Sequence, residues 1–373
     1  MAPSNRVSFV KLPMACALVV VCALRASCQP LMAKPGEPQE LMSKGKTSVE
    51  KEIKLGNAYL SGHGVGKDEK QAAYWFERAA EAGNPWAEQQ IGFFYQAGIG
   101  VPADESRAVH WYQLAAAGGL VSAKTNLGVA YLWGNGVPMD KRLAVLLFRE
   151  AANQGDGHAA TYLGNLYYLG GVLERDVAVA EHWYMAGARM HDPVADFGLG
   201  TMYSIGDRAH DFAKAAAWLR RSVAGGYVPA IHSLALLLEN HPELAGSRHE
   251  AMSLFEEASA YGQWRSSEAL GIVYRDRVSA PRDPKAAYYY FQLAVLQGAD
   301  RAKVEPSTRL LSAELGTEQA TKLDAAAQEW FEAHHEGVEI LLNRAVKGAP
   351  PGLAIVTPAE GIHAGQLTTV PPS

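Results

Sequence analysis

Cysteine is almost missing from this sequence. Its three cysteines, Cys16, Cys22 and Cys28, all fall in the first 28 residues. From Gln29 on, that leaves no disulfide framework, no thiol nucleophile and no cysteine-based zinc site. Long apolar runs are equally scarce. Beyond the start of the chain no stretch approaches the roughly 20 residues a membrane-spanning helix needs. Basic runs are absent too, and the net charge is -5, which argues against nucleic acid as a partner because phosphate binding needs a clustered cationic surface. No His-Glu-x-x-His, phosphate-loop or Gly-x-Ser-x-Gly pattern occurs, so the common hydrolase and nucleotide-binding signatures are missing.

The chain nevertheless has the material for a core, since 48% of its residues are hydrophobic and only 20% are charged. The first 28 residues differ in kind. Arg6 and Lys11 precede an uncharged apolar stretch, Leu12 to Leu24, which as a helix would rise only about 20 Å. This reads as a signal peptide, residues 1–28, cleaved after Cys28; an uncleaved anchor is the alternative. For the cleaved chain, a lipidated Cys28 is the one route to membrane attachment, and Arg25 suits that poorly. The expected location is periplasmic or secreted. Residues 29–48 read as a linker, and 347–373, with five prolines and four glycines, as a disordered tail.

The dominant signal is an internal period. A pair consisting of an apolar and a small residue recurs as Leu55-Gly56, Ile91-Gly92, Leu127-Gly128, Leu163-Gly164, Leu199-Gly200, Leu234-Ala235 and Leu270-Gly271, in steps of 36, 36, 36, 36, 35 and 36. A bulky pair keeps the same beat: Trp75-Phe76, Trp111-Tyr112, Leu147-Phe148, Trp183-Tyr184, Trp218-Leu219, Leu254-Phe255 and Tyr290-Phe291. Within one unit, Ala87, Ile91, Phe94 and Tyr95 lie three and four apart on one helix face. Gly98-Ile99-Gly100-Val101-Pro102 stops that helix, and Asp104 caps a second one, in which Ala108, Trp111, Tyr112 and Ala115 share a face. Gly118-Gly119 closes the unit. Glycine in mid-helix costs about 1 kcal/mol relative to alanine, so Gly92 and its equivalents predict close approach by the partner helix. A single such hairpin cannot bury both of its sides. Stacked units can, and the fold class is therefore all-α: a right-handed superhelix of about seven helix-turn-helix repeats over 49–302. A helix from Thr317 to about His335, with Leu323, Ala327, Trp330 and Phe331 on one face, is expected to cap the last repeat within 303–346.

These residues resemble the Sel1-like repeat family, a relative of the tetratricopeptide repeats. The run Leu-Gly, Tyr, Gly-x-Gly-Val, Asp, Ala, Trp-Tyr, Ala-Ala and Gly is clearest from Ala87 to Gly155. The fourth unit alters the loop to Gly170-Gly171-Val172, and the sixth replaces it with Asn240-His241-Pro242-Glu243. The resemblance implies an adaptor that holds a partner protein or peptide in envelope assembly, secretion, signalling or host interaction. It assigns no cofactor and no catalytic or metal-binding residue. If tetratricopeptide geometry carries over, a concave groove is lined by Asn57, Gln89, Phe93, Gln96, Thr125, Trp133, Thr161, Asn165, Tyr168, Phe197, Thr201, His232, Glu239, Glu268 and Arg275. An ordinary wetted surface is the competing reading of those positions. A groove for peptidoglycan or exopolysaccharide is the second functional reading. A β-lactamase-like hydrolase is the third, weakened by the missing cysteine pairs of that subgroup. Glu332, His334, His335 and Glu336 are the one cluster of metal-ligand types, but adjacent helical histidines diverge by about 100°, so no metal is expected there.

Overall fold

A computed structural model of the chain describes residues 48–205, 211–244, 247–276 and 280–348, with side chains of the last helix described through His334. The signal peptide, nearly all of the linker and most of the tail read from the sequence lie outside these residues. Sixteen α-helices and no strand occur among the described residues. The first seven are α1 (Val49–Ser61), α2 (Glu69–Glu81), α3 (Pro85–Ala97), α4 (Glu105–Ala117), α5 (Val121–Trp133), α6 (Lys141–Asn153) and α7 (Gly157–Leu169). The next seven are α8 (Val177–Arg189), α9 (Pro193–Ile205), α10 (Phe212–Ala224), α11 (Val228–Asn240), α12 (Ser247–Ala260), α13 (Trp264–Asp276) and α14 (Pro284–Leu296). The series ends with α15 (Arg301–Leu315) and α16 (Thr317–Gly348). The helix-turn-helix repeat expected from the period is the observed architecture.

Contacts divide the chain into two compact units, one through Asp176 and one beginning at Val177. In the first, Phe76 meets Phe94 and Trp86 edge to face, with ring centroids 5.4 and 5.7 Å apart. Ile91, Tyr95 and Tyr112 belong to the same buried cluster. In the second, Phe197 packs edge to face on Tyr227 at 5.2 Å. The cluster at the end of that unit joins Ile272, Tyr288, Phe291, Val304, Leu311 and Ala320. It seats α15 and the start of α16 on the last repeat, and the Tyr288 hydroxyl donates to Asp324 at 3.0 Å. Ala327 is fully buried, and Leu323, Trp330 and Phe331 are half-buried, the face expected of a cap. Helix α16 continues past His335, to Gly348.

The mid-helix glycines have the expected cause. A Cβ on Gly56, Gly92, Gly128 or Gly271 would lie 2.6–2.8 Å from the ring of Phe76, Tyr112, Phe148 or Phe291. The ring and the helix backbone occupy the space a side chain would need. The two members of each bulky pair are not equivalent, which refines the sequence reading. The second member (Phe76, Tyr112, Phe148, Tyr184, Leu219, Phe255, Phe291) is buried throughout, whereas Trp111, Leu147, Trp183, Trp218 and Tyr290 are half-buried.

The loop between the helices of a repeat does more than end the first one. Its Tyr carbonyl accepts the backbone N–H of the following cap aspartate six times, from Asp68 to Tyr59, Asp104 to Tyr95, Asp140 to Tyr131, Asp176 to Tyr167, Asp211 to Tyr203 and Asp283 to Tyr274, at 2.8–3.2 Å. The aspartate side chain then accepts from the first turn of the second helix, as Asp104 does from Arg107 N at 3.0 Å. The second glycine of Gly-x-Gly joins neighbouring repeats. Gly100 and Gly136, both at positive φ, lie so close to the carbonyls of Glu69 and Glu105 that a Cβ would sit 2.0 and 2.2 Å from those oxygens. No side chain fits where one repeat's loop rests on the start of the previous second helix.

Candidate functional site

The candidate groove is built from the first helix of each repeat, and its register determines which side chains reach solvent. Most positions two before or two after the apolar residue of each pair are buried. Several of them make contacts inside the chain. Gln89 is buried and its Oε1 accepts from the Ser122 hydroxyl at 2.6 Å, tying α3 to α5. Thr125 is buried and donates to the Asp156 carboxylate at 3.0 Å. Thr161 is buried and donates to the Gly157 carbonyl of its own helix at 3.0 Å. Asn165, Phe197 and Thr201 are buried as well. His232 lies inside the second unit with its Nδ1 2.8 Å from the Ser266 hydroxyl. Burial holds its pKa down at about 4, with Arg265 adding to the effect, so the imidazole is neutral near pH 7. Glu239, five beyond its Leu, is buried too.

Those eight residues, expected to line a groove, are therefore interior. The tetratricopeptide register would place them on a concave surface, whereas here they are buried. Gln89, Thr125 and His232 find their partners on neighbouring elements, Ser122, Asp156 and Ser266.

Seven predicted positions remain half-exposed: Asn57, Phe93, Gln96, Trp133, Tyr168, Glu268 and Arg275. In the second unit, Arg275 is held by Asp276 at 2.5 and 2.6 Å and donates to the Ser307 hydroxyl at 2.7 Å. Burial raises the Glu268 carboxyl pKa against the attraction of Lys303 and Arg265. Both groups are occupied within the chain. In the first unit, Gln96 accepts from the Tyr112 hydroxyl at 2.6 Å. Tyr168 is crossed by the Arg175 guanidinium at 5.8 Å, and its carbonyl accepts from Arg175 Nε at 3.0 Å. Phe93, Trp133 and Tyr168, with Asn57 and Gln96, leave a surface of aromatic and amide groups on α1, α3, α5 and α7.

Among the described residues no group of three His, Cys, Asp or Glu side chains is placed to hold a metal ion. His334 of the C-terminal cluster has its Nδ1 2.7 Å from the Trp330 carbonyl; the His335 and Glu336 side chains lie outside the described residues. No described helix is long and apolar enough to cross a membrane.

The Sel1 repeat family model matches six segments, 52–84, 87–120, 121–156, 157–192, 193–227 and 267–298, more than half of the chain. The chain belongs to the Sel1 repeat family. Proteins of this family commonly mediate protein–protein interaction, and their fold is typically a non-catalytic scaffold. A solved Sel1 repeat protein from Oxalobacter formigenes is similar at 26% identity and a TM-score of 0.59, over 66% of this chain and 99% of that one. The c5321 protective antigen of uropathogenic Escherichia coli, which displays an SLR fold, is similar at 21% identity and a TM-score of 0.43, over 82% of this chain and 73% of its own. No curated protein matches at the same level of significance. The family model passes over 228–266, yet this Sel1 repeat protein forms a helical pair there too, α11 and α12.

Proposed function

We propose that this Sel1 repeat protein is an exported scaffold that holds a partner protein or peptide against the first-helix face of its N-terminal unit. The observation that carries the reading is the half-exposed aromatic series Phe93, Trp133 and Tyr168, with Asn57 and Gln96 beside it. Aromatics provide large contact area at low entropic cost, and amides pair with a partner's backbone. The basic start and short apolar run of residues 1–28 support export to the periplasm or beyond.

Capture from an envelope fraction tests the reading, using the full chain and a triple variant, Phe93→Ala/Trp133→Ala/Tyr168→Ala. One protein recovered in stoichiometric amount, with affinity lowered at least about tenfold by the triple variant, is expected, since an aromatic anchor contributes roughly 2 kcal/mol or more. Undiminished binding by the variant contradicts the assignment of this face. Retention on purified peptidoglycan, lost in the same variant, would replace the protein partner with a glycan.

A further inference from the structure

An ion pair recurs where the two helices of a repeat meet at their ends, the first turn of the first helix against the last turn of the second. Arg78 reaches Glu52 at 2.9 Å, Lys124 reaches Glu150 at 3.1 Å, and Arg221 reaches Asp196 at 3.0 Å. The middle pair reverses the signs, so complementarity rather than a particular residue is what the position holds. In the second repeat the acid is Glu88 and its counterpart is Leu114.

The local geometry of that repeat matches one that has the pair. A Cβ on Gly118 would lie 2.5 Å from Pro85, and one on Gly225 would lie 2.7 Å from Pro193. Glu88 and Leu114 stand three residues after that proline and four before that glycine. So do Asp196 and Arg221. Glu88 is 6% exposed, and its Oε2 is buried with no hydrogen-bond partner. Burial is the one cause acting on its carboxyl pKa, which it raises. A buried carboxylate without a counter-charge carries a substantial desolvation penalty, and the residue beside it offers only methyl groups.

Those methyl groups belong to an apolar surface. Leu114 is 39% exposed, Tyr74 49% and Leu146 55%. Helical spacing aligns Tyr74 with Arg78 on α2, His110 with Leu114 on α4, and Leu146 with Glu150 on α6. The exposed His110 ring packs on Trp111 at 5.7 Å. A buried acid lacking its cation therefore lies at the edge of an exposed apolar stripe on the second-helix face. This face differs from the one assigned above.

We infer that the second-helix face of α2, α4 and α6 docks a partner protein through one arginine or lysine flanked by apolar residues. The cationic head takes the place Arg78 and Arg221 fill in their own repeats, on the Glu88 carboxylate. Its methylenes lie over Leu114, as long basic side chains do on apolar surface. An acid at the centre disfavours nucleic acid and anionic lipid as occupants.

Methyl NMR on the full chain with labelled leucines tests this with a defined probe, acetyl-Leu-Arg-Leu-amide, against acetyl-Leu-Gln-Leu-amide. The Leu114 and Leu146 methyls should shift with the arginine peptide and at least tenfold less readily with the glutamine peptide. Glu88→Gln should abolish the preference without unfolding the chain. Leu114→Arg, which supplies the cation internally, should raise the Tm and remove the response. Equal responses to the two peptides, a preference that survives Glu88→Gln, or a Tm lowered by Leu114→Arg would overturn the proposal.

Discussion

Repeats two and three (α3 to α6) and repeat six (α11 and α12) are both helical pairs, yet they reach that shape by different means. In the former, Gly92 and Gly128 admit Tyr112 and Phe148 at a distance no Cβ allows. Tyr95 and Tyr131 carbonyls bind the caps Asp104 and Asp140 at 2.8 Å, and Gly100 and Gly136 lock each loop onto the previous repeat. Repeat six has Ala235 in place of the glycine, and it is fully buried. Leu238 stands where the tyrosine recurs. A turn from His241 to Leu244 replaces the glycine loop, and the His241 ring stacks on Phe212 of the preceding repeat at 3.5 Å. The helical pair thus tolerates loss of its loop chemistry as long as apolar burial persists. In α11 the residues from Ala230 to Glu239 are all buried.

The sharpest break in that comparison is Gly128→Leu. Its Cβ alone would meet the fully buried Phe148 ring at 2.6 Å, so a loss of about 3 kcal/mol or more is expected from urea melts. Ala235→Gly, the reciprocal change in repeat six, should cost only about 1 kcal/mol through helix propensity. Next comes Gly136→Ala, which combines a positive φ of 72° with a backbone oxygen at 2.2 Å. A loss of about 2–3 kcal/mol is expected, against about 1 kcal/mol for Gly119→Ala, where φ is also positive but nothing lies within 4 Å.

The second unit carries a pH effect of its own. Burial outweighs the attraction of Arg221 and raises the Asp196 pKa from 3.8 to about 6. The folded state then binds a proton more readily than the unfolded one, so this group's contribution to stability is greatest below pH 4 and is lost as pH rises through about 6. Thermal melts from pH 4 to 7 should show the Tm of the native chain falling relative to that of Asp196→Asn. A parallel pair of curves would show that the site titrates normally. Smaller still, Asp104→Ala removes a cap worth about 1 kcal/mol. Gln96→Ala, at the half-exposed surface, should stay within about 0.5 kcal/mol by the same melts.

The fold was legible because its signals repeat. Seven apolar-small pairs, a loop of glycines and proline, and a cap aspartate at fixed spacing identify two helices and their crossing point without any knowledge of the neighbours. The surface was legible only in part. Whether Gln89, Thr125 or Phe197 meets water depends on partners in the next repeat, and no local pattern encodes those. Ser122 and Asp156, the partners that bury Gln89 and Thr125, stand 33 and 31 residues away. The role of Gly100 escaped for the same reason, because its neighbour Glu69 belongs to the previous repeat. The ion-pair column carried a readable signal, an acid and a base 26 residues apart with alternating sign. Only the geometry shows that Glu88 lacks its counterpart.

The most direct measurement is hydrogen–deuterium exchange on the full chain, free and bound to the protein it captures. If the first-helix face of the N-terminal unit is the binding surface, protection should concentrate in α3, α5 and α7 around Phe93, Trp133 and Tyr168. Protection confined to α11 to α14, or an exchange pattern that the captured protein leaves unchanged, would contradict the account.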